Sequence, residues 1–280
     1  MNKKTPTLFR RVLLLPVCLT LAALLTSCNS HPISPNKNDS FTFVQICDTQ
    51  LGFSNYQQDK DSFRQAVIHI NDLNPDFVVI CGDLVNDANE KSFSDFKEIK
   101  SSLKMPCYCV PGNHDIAKKP YLESLRRYRK TIGKDYFAIE HKKTAFIFTN
   151  TQLWKDHLDG ESEAQDTWLK KRLQTVSRKA HQVFVVGHYP LFCKKPDEPD
   201  EYMNLPIDKR MELLSLYDQY NVVAILHGHT HTLTLNNYKD IQMLGGETTS
   251  RNFDKRPLGF RLWRVENNLP PKHEFVPLSW

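Results

Sequence analysis

The chain has 280 residues, 40% of them hydrophobic and 25% charged, with a formal net charge of +5 at pH 7. That length buries a sizeable core in one large domain or two small ones, and the composition excludes disorder outside the N-terminus. Lys3, Lys4, Arg10 and Arg11 precede Cys28 with no acidic residue among them, so the remainder sits near +1; with no long basic run interleaved with aromatics, a nucleic-acid binder is excluded as well.

In chain order, the N-terminus stands apart. Its cations lead into an apolar stretch from Val12 to Leu25, broken by Pro16 and shorter than the ~20 residues of a spanning helix. Basic, then apolar, then small residues is the pattern of an export signal over 1–27. Leu25-Thr26-Ser27-Cys28 resembles a bacterial lipobox. That implies cleavage before Cys28, lipid on Cys28, and a chain anchored to a membrane on the periplasmic or surface side of a bacterial cell envelope. The other reading is an ordinary signal peptide cut nearby, with Cys28 incidental. Residues 28–40 are polar and proline-containing, a tether, which leaves 41–280 as the domain.

"FTFVQIC" (41–47) reads as a buried strand and Gln57 to Leu73 as a helix. "DFVVICGD" (76–83) is a second strand and Asn89 to Leu103 a second helix. "PCYCVPGNHD" (106–115) is a strand and loop, and Lys118 to Thr131 is helical. Short apolar strands alternating with amphipathic helices predict an α/β core with parallel strands. Further on, "YFAIEH" and "TAFIFTNT" read as a hairpin pair and Asp166 to Arg178 as a helix. "HQVFVVGHYP" and "NVVAILHGHTH" are strands flanking a helix from Ile207 to Tyr220. "TLTLNNYKDIQMLGG" and "LGFRLWRVENN" read as antiparallel strands. The domain's five cysteines, Cys47, Cys81, Cys107, Cys109 and Cys193, form no CxxC pair and read as small buried side chains, with one disulfide allowed.

Five apolar runs end in residues of one chemistry. Asp48-x-Gln50 follows the first, Asp83 the second, Asn113-His114-Asp115 the third, His188 the next and His229-x-His231 the last. In α/β sheets the carboxyl edge of the strands is where ligands bind. Carboxylates, imidazoles and amide oxygens without thiolates suit Mn, Fe, Zn or Mg. Seven plausible ligands from this set are too many for one tetrahedral ion; two divalent ions ~3.5–4 Å apart, bridged by a carboxylate, use all seven.

The order D-x-Q, GD, GNHD, GH, GHxH resembles the calcineurin-like metallophosphoesterases over about residues 41 to 265. The common pattern is D-x-H, so Gln50 departs from it. The similarity is closest to the D-x-Q branch of short calcineurin-like phosphoesterase domain-containing proteins, which "DEPDEYMNLP" and "RPLGFRLWRV" also resemble. The resemblance implies a single domain in a four-layer α-β-β-α sandwich of two mixed sheets. It also implies one metal on Asp48, Gln50 and His231, a second on Asn113, His188 and His229, and Asp83 bridging. Gln50 then ligates through its amide oxygen and favours Mn or Mg over Zn; a hydrogen-bonding role behind the ligands is the alternative. His114 is implied as the residue that stabilises the transition state or protonates the leaving group, with Asp115 orienting it.

The implied reaction is metal-dependent phosphate-ester hydrolysis by a metal-bridged hydroxide. A phosphoprotein or small phosphate monoester is the first substrate class. A phosphodiester of nucleotides or envelope polymers is the second, and a non-catalytic lipoprotein binding a phosphorylated ligand is the third. Arg251, Arg256 and Arg261 are candidates to grip phosphate, Arg251 and Arg256 foremost. Cys193 to Leu205 is either a wall of the cleft or a solvated loop. Trp154, Trp168 and Trp263 read as packing residues. A monomer is expected.

Overall fold

The computed structural model describes residues 1–2, 39–117, 121–266 and 269–280. Contacts divide the chain into Met1–Ser34 and Pro35–Trp280, and every element below lies in the second unit. The expected export signal, Cys28 and all of the tether before Asp39 lie outside the described residues.

The first half runs β1 (Phe41–Ile46), α1 (Tyr56–Leu73), β2 (Phe77–Cys81), α2 (Glu90–Lys100), β3 (Cys107–Val110), α3 (Asn113–Ile116) and α4 (Leu122–Thr131). The second runs β4 (Phe137–His141), β5 (Thr144–Phe148), α5 (Gln152–Lys155), α6 (Glu161–Val176), β6 (Gln182–Val186), α7 (Ile207–Gln219), β7 (Val222–His227), β8 (Thr234–Tyr238), β9 (Ile241–Gly245), β10 (Gly259–Val265) and β11 (Lys272–Pro277). Helix starts follow local chemistry. Asn55 and Asn89 cap α1 and α2 by accepting from the Gln58 and Ser92 N–H groups at 3.1 and 2.9 Å.

Two sheets form, in orders β11-β10-β1-β2-β3 and β4-β5-β6-β7-β9-β8. β1, β2 and β3 are mutually parallel, as are β5, β6, β7 and β9. The parallel strands are mostly apolar because both faces are covered, Gln45 of β1 being a buried polar exception. Alternate residues of β1 show it: Phe43 faces the second sheet, while Val44 and Ile46 face α1 and α2. Phe43 stacks on Phe77 and Trp263 at 5.3 and 5.6 Å and meets the edges of Phe146 and Phe184 at 5.1 and 5.5 Å. One apolar layer therefore lies between the sheets, and one lies under each helical face. This is the four-layer α-β-β-α sandwich.

The differences from sequence are local. "IQMLG" pairs antiparallel with β8 as expected, but its other neighbour, β7, is parallel. GNHD forms a single helical turn, α3, where a loop was expected, and α6 starts at Glu161 rather than Asp166. β11 escaped notice because its pattern, KHEFVP on a half-exposed outer strand, is not apolar. All five domain cysteines are free thiols, three of them buried. Trp154 and Trp263 are packing residues: their indole N–H groups donate to Asp166 and Gln45 at 2.7 and 3.0 Å, and Trp168 lies against Tyr136.

Removing Phe43 empties the centre of the inter-sheet layer. Phe43→Ala is expected to cost about 3–5 kcal/mol, read as a lower urea midpoint; a change below about 1 kcal/mol would contradict that account of the core.

Candidate metal centre

The predicted ligands sit where strands run out. Asp48 and Gln50 follow β1, Asp83 follows β2, and Asn113 opens α3 after β3. His188 follows β6, and His229 and His231 follow β7. All seven are buried. Asp83, His188 and His229 bring one ligand atom each within 4.8 Å of the others. His188 Nε2 is 3.4 Å from Asp83 Oδ2, 3.1 Å from Asn113 Oδ1 and 3.2 Å from His229 Nδ1. Asp48 Oδ1 lies 3.6 Å from His231 Nε2 and 3.9 Å from His188 Nδ1. The two groups that the sequence separated, Asp48 with His231 and Asn113 with His188 and His229, stand side by side.

The backbone is bent to achieve this. Asp48, Gln50, Asp83, His229 and His231 have φ of 48°, 32°, 47°, 70° and 50°. Left-handed conformations are uncommon for such residues and cost of order 1–3 kcal/mol each, so they persist only where surroundings over-determine them. Here the main chain does so. The Gln50 N–H donates to the Asp83 carbonyl at 2.8 Å, and the His114 N–H donates to Asp83 Oδ1 at 2.9 Å. The His229 N–H lies 3.1 Å from both Asp48 oxygens. Gly82, at φ 82°, completes the packing: a Cβ there would lie 2.6 Å from His188 Nδ1.

Burial alone would depress the His188 imidazole, but the Asp83 and Asp48 carboxylates outweigh it and lift it to about 9. Burial also opposes ionisation of Asp83, which His188 and the His114 N–H nonetheless hold well below the carboxylate range. Burial pushes Asp48 up. Burial, then His188, push His229 down, so its ring is neutral, the form that ligates. Two carboxylates this deep demand positive charge, which a divalent cation supplies.

Gln50 tests the fit. Its Nε2 donates to Asn86 Oδ1 at 3.4 Å, while its buried Oε1 has no hydrogen-bond partner. The hydrogen bond that sequence left open as an alternative is thus made by the nitrogen. The oxygen is left as a lone-pair donor, which a hard cation satisfies. The residues present fit a metal site.

Three expectations change. Asp115 was expected to orient His114; its oxygens instead accept from the Leu84, Val85 and Gly112 N–H groups at 2.8–3.2 Å. It ties the loop after β2 to the loop after β3, and burial with the nearby Asp83 charge pushes it up to about 8. The His114 ring is oriented by the Asn86 carbonyl, 2.9 Å from its Nδ1. Arg256 does not offer its guanidinium to phosphate: Nε and Nη2 hold the buried Glu247 at 3.0 and 2.7 Å, and Arg261 holds the same carboxylate at 2.8 Å. Of the arginine candidates only Arg251 is exposed at the rim. Its carbonyl lies 2.7 Å from His231 Nδ1 and its guanidinium lies over Phe253.

The 193–205 stretch is a wall of the cleft. Glu198 accepts from the Cys193, Lys194 and Lys195 N–H groups, and the fully buried Arg210 donates to the Pro196, Glu198 and Leu205 carbonyls. So pinned, the loop sets the Tyr202 ring 5.0 Å from His229 and its hydroxyl 3.5 Å from Asn113 Nδ2. Phe53 and Phe253 flank His231 at 4.8 and 4.9 Å. Sequence reasoning missed Asn86, Tyr202, Phe53 and Phe253; only Asn86, three residues past Asp83 in GDLVN, carried a positional signal.

Residues 41–233 match the family model described as calcineurin-like phosphoesterase. A serine/threonine-protein phosphatase CPPED1 of Mus musculus is 30% identical over 247 residues, 79% of each chain. A probable glycerophosphodiester phosphodiesterase GpdQ of Arcobacter nitrofigilis is 28% identical over 225 residues, 74% of this chain and 78% of its own. Among solved structures, one described as a dimetal phosphatase from Danio rerio superposes with a TM-score of 0.60 at 15% identity. The superposition covers 85% of this chain and 99% of that one, and so supports the fold. With ligands of the right kinds gathered at the strand ends of this fold, the chain belongs to the calcineurin-like phosphoesterases, a family of hydrolytic enzymes.

Proposed function

We propose that the protein is a phosphatase that hydrolyses phosphate monoesters, on a phosphoprotein or a small ester, at a site holding two divalent cations. One observation supports the cation site, the buried, unpartnered Oε1 of Gln50 in a cluster otherwise made of Asp48, Asp83, Asn113, His188, His229 and His231, and the similarity to CPPED1 favours the phosphatase reading. Asp48, Gln50 and His231 would hold one ion, Asn113, His188 and His229 the other, with Asp83 between them. Such ions supply a hydroxide near neutral pH and neutralise phosphate oxygens. His114, half-buried, has Nδ1 committed to the Asn86 carbonyl, which leaves Nε2 to hold or deliver a proton at the leaving oxygen. Tyr202, Phe53 and Phe253 frame the approach and reduce the water around the reacting groups.

The similarity to GpdQ favours a second reading, a phosphodiesterase. Mono- and bis-p-nitrophenyl phosphate separate the two: a higher kcat/KM on the monoester is expected, and the reverse would replace the first reading with the second. In either case hydrolysis by the full chain in detergent should require Mn or Mg and fall to background with chelator or Asp83→Asn. Activity that survives both would sink the metal reading. His114→Ala should lower kcat by about 10²–10⁴ without loss of bound metal.

A glutamine oxygen is a harder, neutral donor than imidazole. Gln50→His is therefore expected to raise Zn affinity relative to Mn, read by calorimetric titration of the chelated protein. An unchanged ratio would place Gln50 outside the ligand set.

We also propose that a lipid on Cys28 anchors a monomer to a cell-envelope membrane. Support comes from Leu25-Thr26-Ser27-Cys28 after a basic and then apolar stretch. Produced in a bacterium, the mature chain should begin at an acylated Cys28 by mass spectrometry, and Cys28→Ser should release it from membranes. An unmodified Cys28 would leave only the ordinary signal peptide.

A further inference from the structure

A groove of about 710 Å³ runs between α2 and α4 on the helical face of the first sheet. It continues through smaller cavities of about 300 and 250 Å³ that share Lys97, Lys100 and Ile132 with one another or with it. The last of these opens on β3, the outer strand of its sheet.

The rim is basic. Lys97, Lys100, Arg126, Arg127, Lys130 and Lys134 line it against two carboxylates, Glu90 and Glu123, an excess of four positive charges. That excess is larger than the net charge near +1 of everything from Cys28 onward, so the rest of that chain is net negative. Other cations on these helices and on α1 find partners: Lys91 on α2 and Lys60 on α1 meet Asp95, Arg64 on α1 meets Asp61, and Arg129 on α4 meets Asp135 and Glu161. None of the six groove cations makes an ion pair among the described residues. Lysines beside an edge strand also deter unwanted pairing. That accounts for Lys100 and Lys134 next to β3, and the last-turn positions of Lys97 and Lys130 favour a cation at a helix C-terminus, which leaves Arg126 and Arg127 without a local reason.

We infer that this groove docks an extended acidic segment of a partner polypeptide. The floor decides the class of occupant. Phe93 and Phe96 are buried, and Met105 and Ile132 are half-buried. They lie below the basic rim, so they cannot insert into a bilayer, which requires protruding apolar side chains. With both phenylalanines packed in the core, they give nucleic-acid bases no ring to stack on. A concave, basic channel whose floor leaves Met105 and Ile132 half-exposed fits a chain whose carboxylates reach the rim and whose apolar side chains reach those two residues. At its far end such a chain meets the open edge of β3.

The test titrates the full chain in detergent micelles with a fluorescein-labelled peptide alternating glutamate and leucine, read by anisotropy. Saturable binding is expected. It should weaken with added salt, weaken at least about tenfold in the Arg126→Glu, Arg127→Glu double variant, and remain unchanged in Asp83→Asn. Lys97→Gln with Lys130→Gln, which neutralises without reversing charge, should act in the same direction, so a misfolded first variant does not decide the matter. No saturable binding, or equal binding by both groove variants, would overturn the inference. Equal binding of a lysine–leucine peptide would overturn it too, as apolar adhesion. Displacement of the acidic peptide by a small proportion of phosphatidylglycerol mixed into the micelles would replace the polypeptide with an anionic membrane. Because the readout is binding, it stands apart from whether the metal site hydrolyses monoesters.

Discussion

The carboxylate of Asp48 belongs to one sheet and is held by the main chain of the other. The His229 N–H lies 3.1 Å from both its oxygens, which ties the end of β1 to the end of β7 in the other sheet. The residues of β1 just before it make the same crossing. The Cys47 thiol donates to the His227 carbonyl at 3.1 Å, and the Gln45 amide donates to the His227 and Leu244 carbonyls while its oxygen accepts from the Trp263 indole. Gln45 is a polar side chain inside a layer of phenylalanines. A buried amide is costly unless satisfied, and it is satisfied in only one relative placement of the sheets. The apolar layer supplies most of the burial but is tolerant of sliding. The Gln45–Cys47–Asp48 seam fixes where the strand ends meet.

The strained backbone at the ligands follows from the same seam. Five of the seven ligands adopt left-handed conformations immediately after strands that are buried on both faces. The strands cannot shift to relieve the bends, because each is locked by its neighbours. Asp115 acts with them: by accepting three N–H groups from two loops it takes the place of water in a region that water does not reach. A carboxylate in that position organises main chain rather than imidazole.

That distinction marks the limit of what the sequence made legible. The strands were readable because burial on both faces favours apolar runs, and the gathering of Asp48, Gln50, Asp83, Asn113, His188, His229 and His231 at strand ends because few residue types recur there. Asp115 and Arg256 were misread for one reason: side-chain type does not reveal which of several nearby partners a group reaches. Asp115 sits beside His114 in sequence yet bonds backbone thirty residues away. Arg256 carries the fork suited to phosphate yet turns it on Glu247, which no motif marked. The 193–205 wall was ambiguous because its order comes from Arg210, on the following helix, a pairing without local periodicity.

These two kinds of legibility correspond to two kinds of job. Rigid strand ends carry the clustered Asp, Asn, Gln and His side chains, whose types match the motifs common to the family. Residues around the cluster, Tyr202 against His229, Phe53 and Phe253 against His231, and the exposed Arg251, come from loops whose conformations are set by separate pins. A change in such a pin re-aims the rim without touching a ligand, whereas a change in a ligand leaves the rim intact and removes the chemistry. That separation lets one scaffold serve relatives whose names specify different esters. The Arg210–Glu198 staple and the 251–253 turn hold the rim in place, apart from the strand ends that carry Asp48 and Asp83.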